Sequence, residues 1–180
     1  MADLTEWHIT HYPAKVLAGR AQPVGPIDDA LRRLVDTMAD LLVELKGTGF
    51  AAPQAGVPLR LFIVSMDGTK ENVKVFVNPT VTPSGELESK EEGCLSVPGV
   101  YTHVRRYKTC QVSAVDLEGK PFTETAEGMY ARCLQHEYDH IEGITIVNRM
   151  GQAARIAHRR QLKKLEEEDS EQRSKRQDTG

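Results

Sequence analysis

The stretch RCLQHEYDHIEG, Arg132 to Gly143, constrains this chain more than any other. It holds His136, Glu137 and His140 in the order H-E-x-x-H. On a helix, residues four apart share a face and lie about 6 Å apart along the axis, the separation at which two imidazoles converge on one ion. Glu137 is turned by roughly 100° from His136, close enough to address a water at that ion without replacing a ligand. Met129, Cys133 and His136 continue an inward-facing stripe to His140, so the spacing places both histidines inside. Buried imidazoles need partners. The chain must enclose this helix and bring a further group to it from elsewhere. A zinc peptidase helix, or a helix that carries polar residues by coincidence, matches the pattern as well.

Three cysteines compete for the role of third ligand. Cys133 shares the histidine face but lies seven residues from His140, roughly 10 Å along a helix axis, too far for both to bind one ion. It reads as core. Cys110 sits in a strand pattern, where a free cysteine is a small buried hydrophobe. Cys94 lies in KEEGCLSVPGV, between Gly93 and Pro98-Gly99, a loop whose backbone can approach another element and present a thiolate. One thiolate and two neutral imidazoles leave a fourth position open, as catalytic rather than structural sites do. Asp139 has two readings, a group that orients a ligand or pairs with Arg105 or Arg106, and a surface salt bridge.

The segment GTGFAAPQAGV, Gly47 to Val57, has no phosphate-loop ending, and its glycines read as helix cap and turn. Gln54 stands out among small apolar neighbours, where burying an amide costs free energy unless it finds a partner. It serves either as a donor to a substrate oxygen or as a structural group bonded to backbone.

The remainder reads as one domain. Its 180 residues suffice for a core without staples, and a formal charge of -3 gives no argument for DNA or a membrane surface. The opening MADLTEWHIT lacks a leader pattern, and odd, irregular cysteines fit a reducing compartment, so the cytoplasm is expected. Leu31, Leu34, Val35, Met38, Leu41, Leu42 and Leu45 predict a helix over 28–46, started by Asp28 or Asp29 and ended by a left-handed Gly47. LRLFIVSM, VKVFVNPTV and TCQVSAVDL joined to KPFTET predict strands, and a second helix is expected from about Gly128 to Ile141, with Gly143 near its end. The composition changes after Ile146, and from Arg155 on only Ile156, Leu162 and Leu165 are large and apolar, which predicts an exposed helix that frays. Its basic residues precede its acidic ones, against the helix dipole; a solvated end and a basic face for a polyanion are the two readings.

Taken together, GTGFAAPQ, EGCLS and QHEYDH resemble the three ordered motifs of the peptide deformylases, G-x-G-x-A-A-x-Q, E-G-C-x-S and Q-H-E-x-D-H. The resemblance covers residues 5–168 and implies an α+β fold, antiparallel β-sheets packed around a central metal-binding helix, with an N-terminal and a C-terminal helix. Residues 1–168 would form the catalytic domain, its last helix starting near residue 151, and 169–180 a flexible tail. The implied activity is hydrolysis of the N-formyl group from the formyl-methionine of nascent polypeptides. By carry-over, Cys94, His136 and His140 would bind one divalent metal, Fe2+ in the cell, with Ni2+, Co2+ or Zn2+ able to substitute. Glu137 would be general base and then acid, Gln54 and the Leu95 N–H would polarise the formyl oxygen, and Gly49 would bond the peptide backbone. The family also implies ribosome contact through the C-terminal helix. Gly99, Val100 and Tyr101 stand where many relatives carry polar or charged residues, which leaves the pocket rim unassigned. The rival readings are a zinc peptidase and a non-catalytic relative that keeps the metal as a staple.

Overall fold

A computed structural model describes residues 8–177, with side chains through residue 174. A short helix, α1 (Lys15–Ala18), precedes α2 (Asp29–Glu44). Strands β1 (Gly49–Ala51), β2 (Leu61–Val64), β3 (Lys74–Gly93), β4 (Tyr101–Val115) and β5 (Pro121–Glu127) follow. Helices α3 (Gly128–Ile141), α4 (Ile146–Arg149) and α5 (Gln152–Gln177) complete the chain.

Asp28 starts α2, its carboxylate accepting from the Leu31 N–H at 2.9 Å. The end of α2 departs from expectation: the left-handed residue is Lys46, φ 54°, not Gly47. Gly47 and Lys46 donate back to the Leu42 and Val43 carbonyls, which closes the last turn. Gly47 is needed for space instead, since a methyl group there would sit 2.8 Å from Leu95 Cδ1 and 2.9 Å from Leu42 Cδ1.

The strands form one antiparallel sheet in the order β1-β2-β3-β4-β5, where more than one sheet was expected. β2 explains its layering. Phe62 and Val64 enter the cluster around α3, while Leu61 and Ile63 enter the cluster around α2. Alternate side chains thus bury on both faces, which is why this strand is an unbroken apolar run. α3 touches all five strands, so the sheet encloses it. Cys110 lies in the same core, as its strand pattern predicts.

Two segments are longer than their patterns suggest. β3 runs through TPSGELESKEEG to Gly93, where the apolar pattern stops at Val81. Its outer half is held by the backbone ladder to β4, not by burial, and register shifts flank Thr80 and Leu87. α5 continues to Gln177, past residue 168, with ion pairs Lys163–Glu167, Lys164–Glu168 and Asp169–Arg173 along it. It is not a detached end: Leu162 and Leu165 are buried with Val97, Val100, Ile146, Val147 and Met150. Ile156 stays 67% exposed.

Candidate active site

α3 starts at Gly128, φ 60°, and its inward stripe begins later than the spacing suggests, since Met129 is 56% exposed. His140 is buried and the His136 side chain is 14% exposed; their rings lie 5.0 Å apart, edge to face. Cys94 follows the last residue of β3 and opens a turn in which Val97 donates to the Cys94 carbonyl at 2.9 Å. That turn carries the Cys94 Sγ to 3.3 Å from His140 Nε2. One ligand atom each from Cys94, His136 and His140 lie within 4.8 Å of one another. Cys133 stays outside this set, its thiol against Thr48 and pushed well up by burial, then by the charge of Glu137.

The orientation of His136 comes from the first residue of EGCLS, which the motif contains but to which it assigned no role. Its Nδ1 lies 3.0 Å from Glu92 Oε2, which leaves Nε2 for a ligand. Glu92 also accepts both arms of the Arg106 fork, at 2.7 and 2.9 Å, and Arg132 at 2.6 Å. Burial would raise the Glu92 carboxyl, but hydrogen bonds from His136 and Arg106, with their charge, outweigh it and hold the pKa at about 2. Arg106 reaches on to Asp139 at 2.8 Å, and Arg149 grips the same carboxylate. Asp139 is therefore no surface salt bridge: it is 7% exposed and secures Arg106, while Arg105 points outward. A signal for Arg106 existed in the alternation Thr102, Val104, Arg106, which is the buried face of β4. The place of Glu92 in EGCLS set it apart from Glu91, but its inward turn and its partners came only with the β3–β4 register.

Glu137 is 3% exposed and its Oε2 has no hydrogen-bond partner among the described residues. Burial raises its pKa to about 7, opposed by the charge of His136 and Arg106. A methyl group at Gly49 would collide with that carboxylate, so Gly49 is there to let β1 approach α3. Gln54 is buried and bonded to backbone, as one of its two readings has it. Its Oε1 accepts from the Ala51 N–H at 2.8 Å, while its Nε2 donates to Ser96 Oγ at 3.2 Å and lies 3.8 Å from Cys94 Sγ. The site floors a cleft of about 610 Å³. Residues 46–49 and 91–95 line it, together with the exposed Met66, Tyr101 and Met129.

The donor set fits a divalent ion. Burial, then the charges of His136 and Arg106, hold His140 well below the ordinary imidazole range, so its lone pair is available. His136 is oriented by Glu92, a thiol stands beside the imidazoles, and an unpartnered carboxyl borders them. Such a set would supply three ligands to an ion.

A buried acid beside a Cys-His-His donor set, on an α+β frame, defines a class: metal-dependent hydrolases. Within it, residues 7–155 match the family model for polypeptide deformylases. The chain belongs to that family. A peptide deformylase of Chromobacterium violaceum is 38% identical over 90% of this chain and 97% of its own, and one of Desulfosudis oleivorans is 42% identical over 89% and 95%. Among solved structures, a plant peptide deformylase superposes with a TM-score of 0.89 at 33% identity, covering 96% of this chain and 95% of its own. One from Legionella pneumophila gives 0.84 at 40% identity, covering 91% and 96%.

Proposed function

We propose that this protein removes the N-formyl group from the formyl-methionine that begins newly made polypeptides, releasing formate. The observation that carries this reading is Glu137, a buried carboxyl with a pKa near 7 and an unpartnered oxygen, set beside Cys94, His136 and His140. Those three residues would hold one divalent ion, with Fe2+ the proposed occupant and Ni2+, Co2+ or Zn2+ able to replace it. When bound, the ion supplies Lewis acidity, which lets a water lose its proton near neutral pH.

Glu137 takes a proton from water as the oxygen adds to the formyl carbon, then gives it to the departing amine as the C–N bond breaks. Gln54 Nε2 and the Leu95 N–H donate to the formyl oxygen as it gains negative charge. Anchoring Gln54 Oε1 on Ala51 aims its amide before substrate arrives. β1 is an edge strand, and residues 90–93 of β3 pair only with β4, so two free backbone edges border the cleft. An extended peptide can bond to them, with Gly49 among the donors and acceptors. A formyl carbon bears only hydrogen, so a narrow site admits it and excludes an ordinary peptide carbonyl.

This substrate implies a cytoplasmic location; among the described residues no helix is long and apolar enough to cross a membrane. Ribosome contact through α5 belongs to the same proposal, supported by exposed Arg159 and Arg160. Because Leu162 and Leu165 are core, that contact is best tested by Arg159→Glu with Arg160→Glu, which should weaken salt-sensitive ribosome binding; unchanged binding removes it.

The decisive assay uses anaerobically prepared, iron-loaded protein with formyl-Met-Ala-Ser and its unformylated counterpart. Formate from the first alone is expected. Internal cleavage would mark a peptidase, and a bound metal without turnover a non-catalytic relative.

A further inference from the structure

The rim of the cleft carries charge that the chemistry above does not use. Lys46 and Glu91 both line the cleft and both are exposed. Neither forms an ion pair among the described residues. The deeper charges are engaged, Glu92 by Arg106, Arg132 and His136. His11, also at the cleft, is held below the ordinary imidazole range by burial and is neutral near pH 7. Among the described residues, Lys46 is therefore the cation available to a substrate at this mouth.

Its backbone makes the choice of residue informative. At φ 54° Lys46 occupies the left-handed position where glycine is the unstrained residue. A cation near the end of α2 does favour the helix dipole. A lysine at position 44 or 45 would serve the dipole without the strain, yet the last turn of α2 contains no basic residue. Lys46 also stands within a bounded distance of the reacting centre. Gly49, which abuts Glu137, is three residues further on, a span of at most roughly 10 Å. An extended peptide rises about 3.4 Å per residue, so the same span covers its second and third residues.

We propose that Lys46 is a specificity-determining residue that favours an acidic side chain at the second or third position of the formyl-peptide. The inference rests on the formyl-peptide reading above. Glu91, which also lines the cleft, repels an acid placed against it, so the preference belongs to the subsite nearer Lys46. The ammonium and its partner both remain hydrated, so the preference is modest, about two- to five-fold in kcat/KM for acid over base. It also fades as salt screens the pair.

The test compares kcat/KM for formyl-Met-Glu-Ser with formyl-Met-Lys-Ser, and for formyl-Met-Ala-Glu with formyl-Met-Ala-Lys, using iron-loaded full-length protein at low and at high salt. Formyl-Met-Ala-Ser is the neutral reference. An acid-over-base ratio above one at one of the two positions is expected, falling towards one in Lys46→Met and below one in Lys46→Glu. Lys120→Glu makes the same change of net charge on a distant hairpin turn and should leave the ratio as it was. A ratio of one in the unaltered protein, or a ratio that Lys46→Glu leaves unchanged while formyl-Met-Ala-Ser is turned over, overturns this inference alone. No formate from any peptide overturns the proposed activity and the inference with it.

Discussion

Glu92 and Glu137 are both buried carboxyls beside His136, yet their environments drive them apart. Glu92 receives Arg106, Arg132 and His136 and stays ionised, whereas burial leaves Glu137 near pH 7. The first is suited to holding a histidine in place and the second to moving a proton. Replacing Glu137 by Gln should retain the metal, measured by elemental analysis, and lower kcat by a factor on the order of 100 or more. Substantial turnover in that variant would remove Glu137 from its role. Replacing Glu92 by Gln leaves two arginines without their shared anion, and should lower both metal affinity and stability. The sign of its pH dependence follows from a folded pKa of about 2 against 4.5 unfolded. Glu92 contributes on the order of 3 kcal/mol above that unfolded value, and the contribution is lost as pH falls from there through 2. Urea unfolding from pH 7 to 3 should therefore show the gap between the unaltered protein and Glu92→Gln narrowing with acid. A constant gap would sink the assignment.

The elements divide by how much apolar pattern they contain. α2 was readable because Leu31, Leu34, Val35, Met38 and Leu42 repeat at helical spacing and are all buried. The outer half of β3 was not, since TPSGELESKEE pairs through its backbone and leaves most side chains in water. α5 was legible as a helix but not as part of the core, because two leucines among charged neighbours give a weak stripe until Val97 and Val100 are seen against them. Gln161 adds a hydrogen bond to the Pro98 carbonyl at 2.9 Å, so α5 braces the turn that carries Cys94. Leu165→Ala should accordingly cost about 3 kcal/mol in unfolding free energy and reduce metal affinity as well. A stability loss with unaltered metal affinity would show that the brace does not reach Cys94.

Over the entire molecule the design is a sheet that wraps one helix and closes its open side with the Cys94 turn. Cys94 and the two histidines come from different elements, so an ion joining them binds the folded chain and not the unfolded one. Chelation should lower the melting temperature by calorimetry, and re-addition of iron(II) without oxygen should restore it; no shift would separate the metal from the fold. The spacing of His136 and His140, the isolated amide of Gln54 and the loop glycine before Cys94 were already determined by local chemistry, because helix periodicity and turn preference act within a few residues. Which of Glu91 and Glu92 turns inward, that Arg106 and not Arg105 meets Asp139, and that Lys46 and Glu91 line one cleft with no ion pair among the described residues were decided by strand register and by the docking of α3 into the sheet. Those contacts join residues far apart in the chain, and a charged side chain shows no sign of its partner until the fold supplies one.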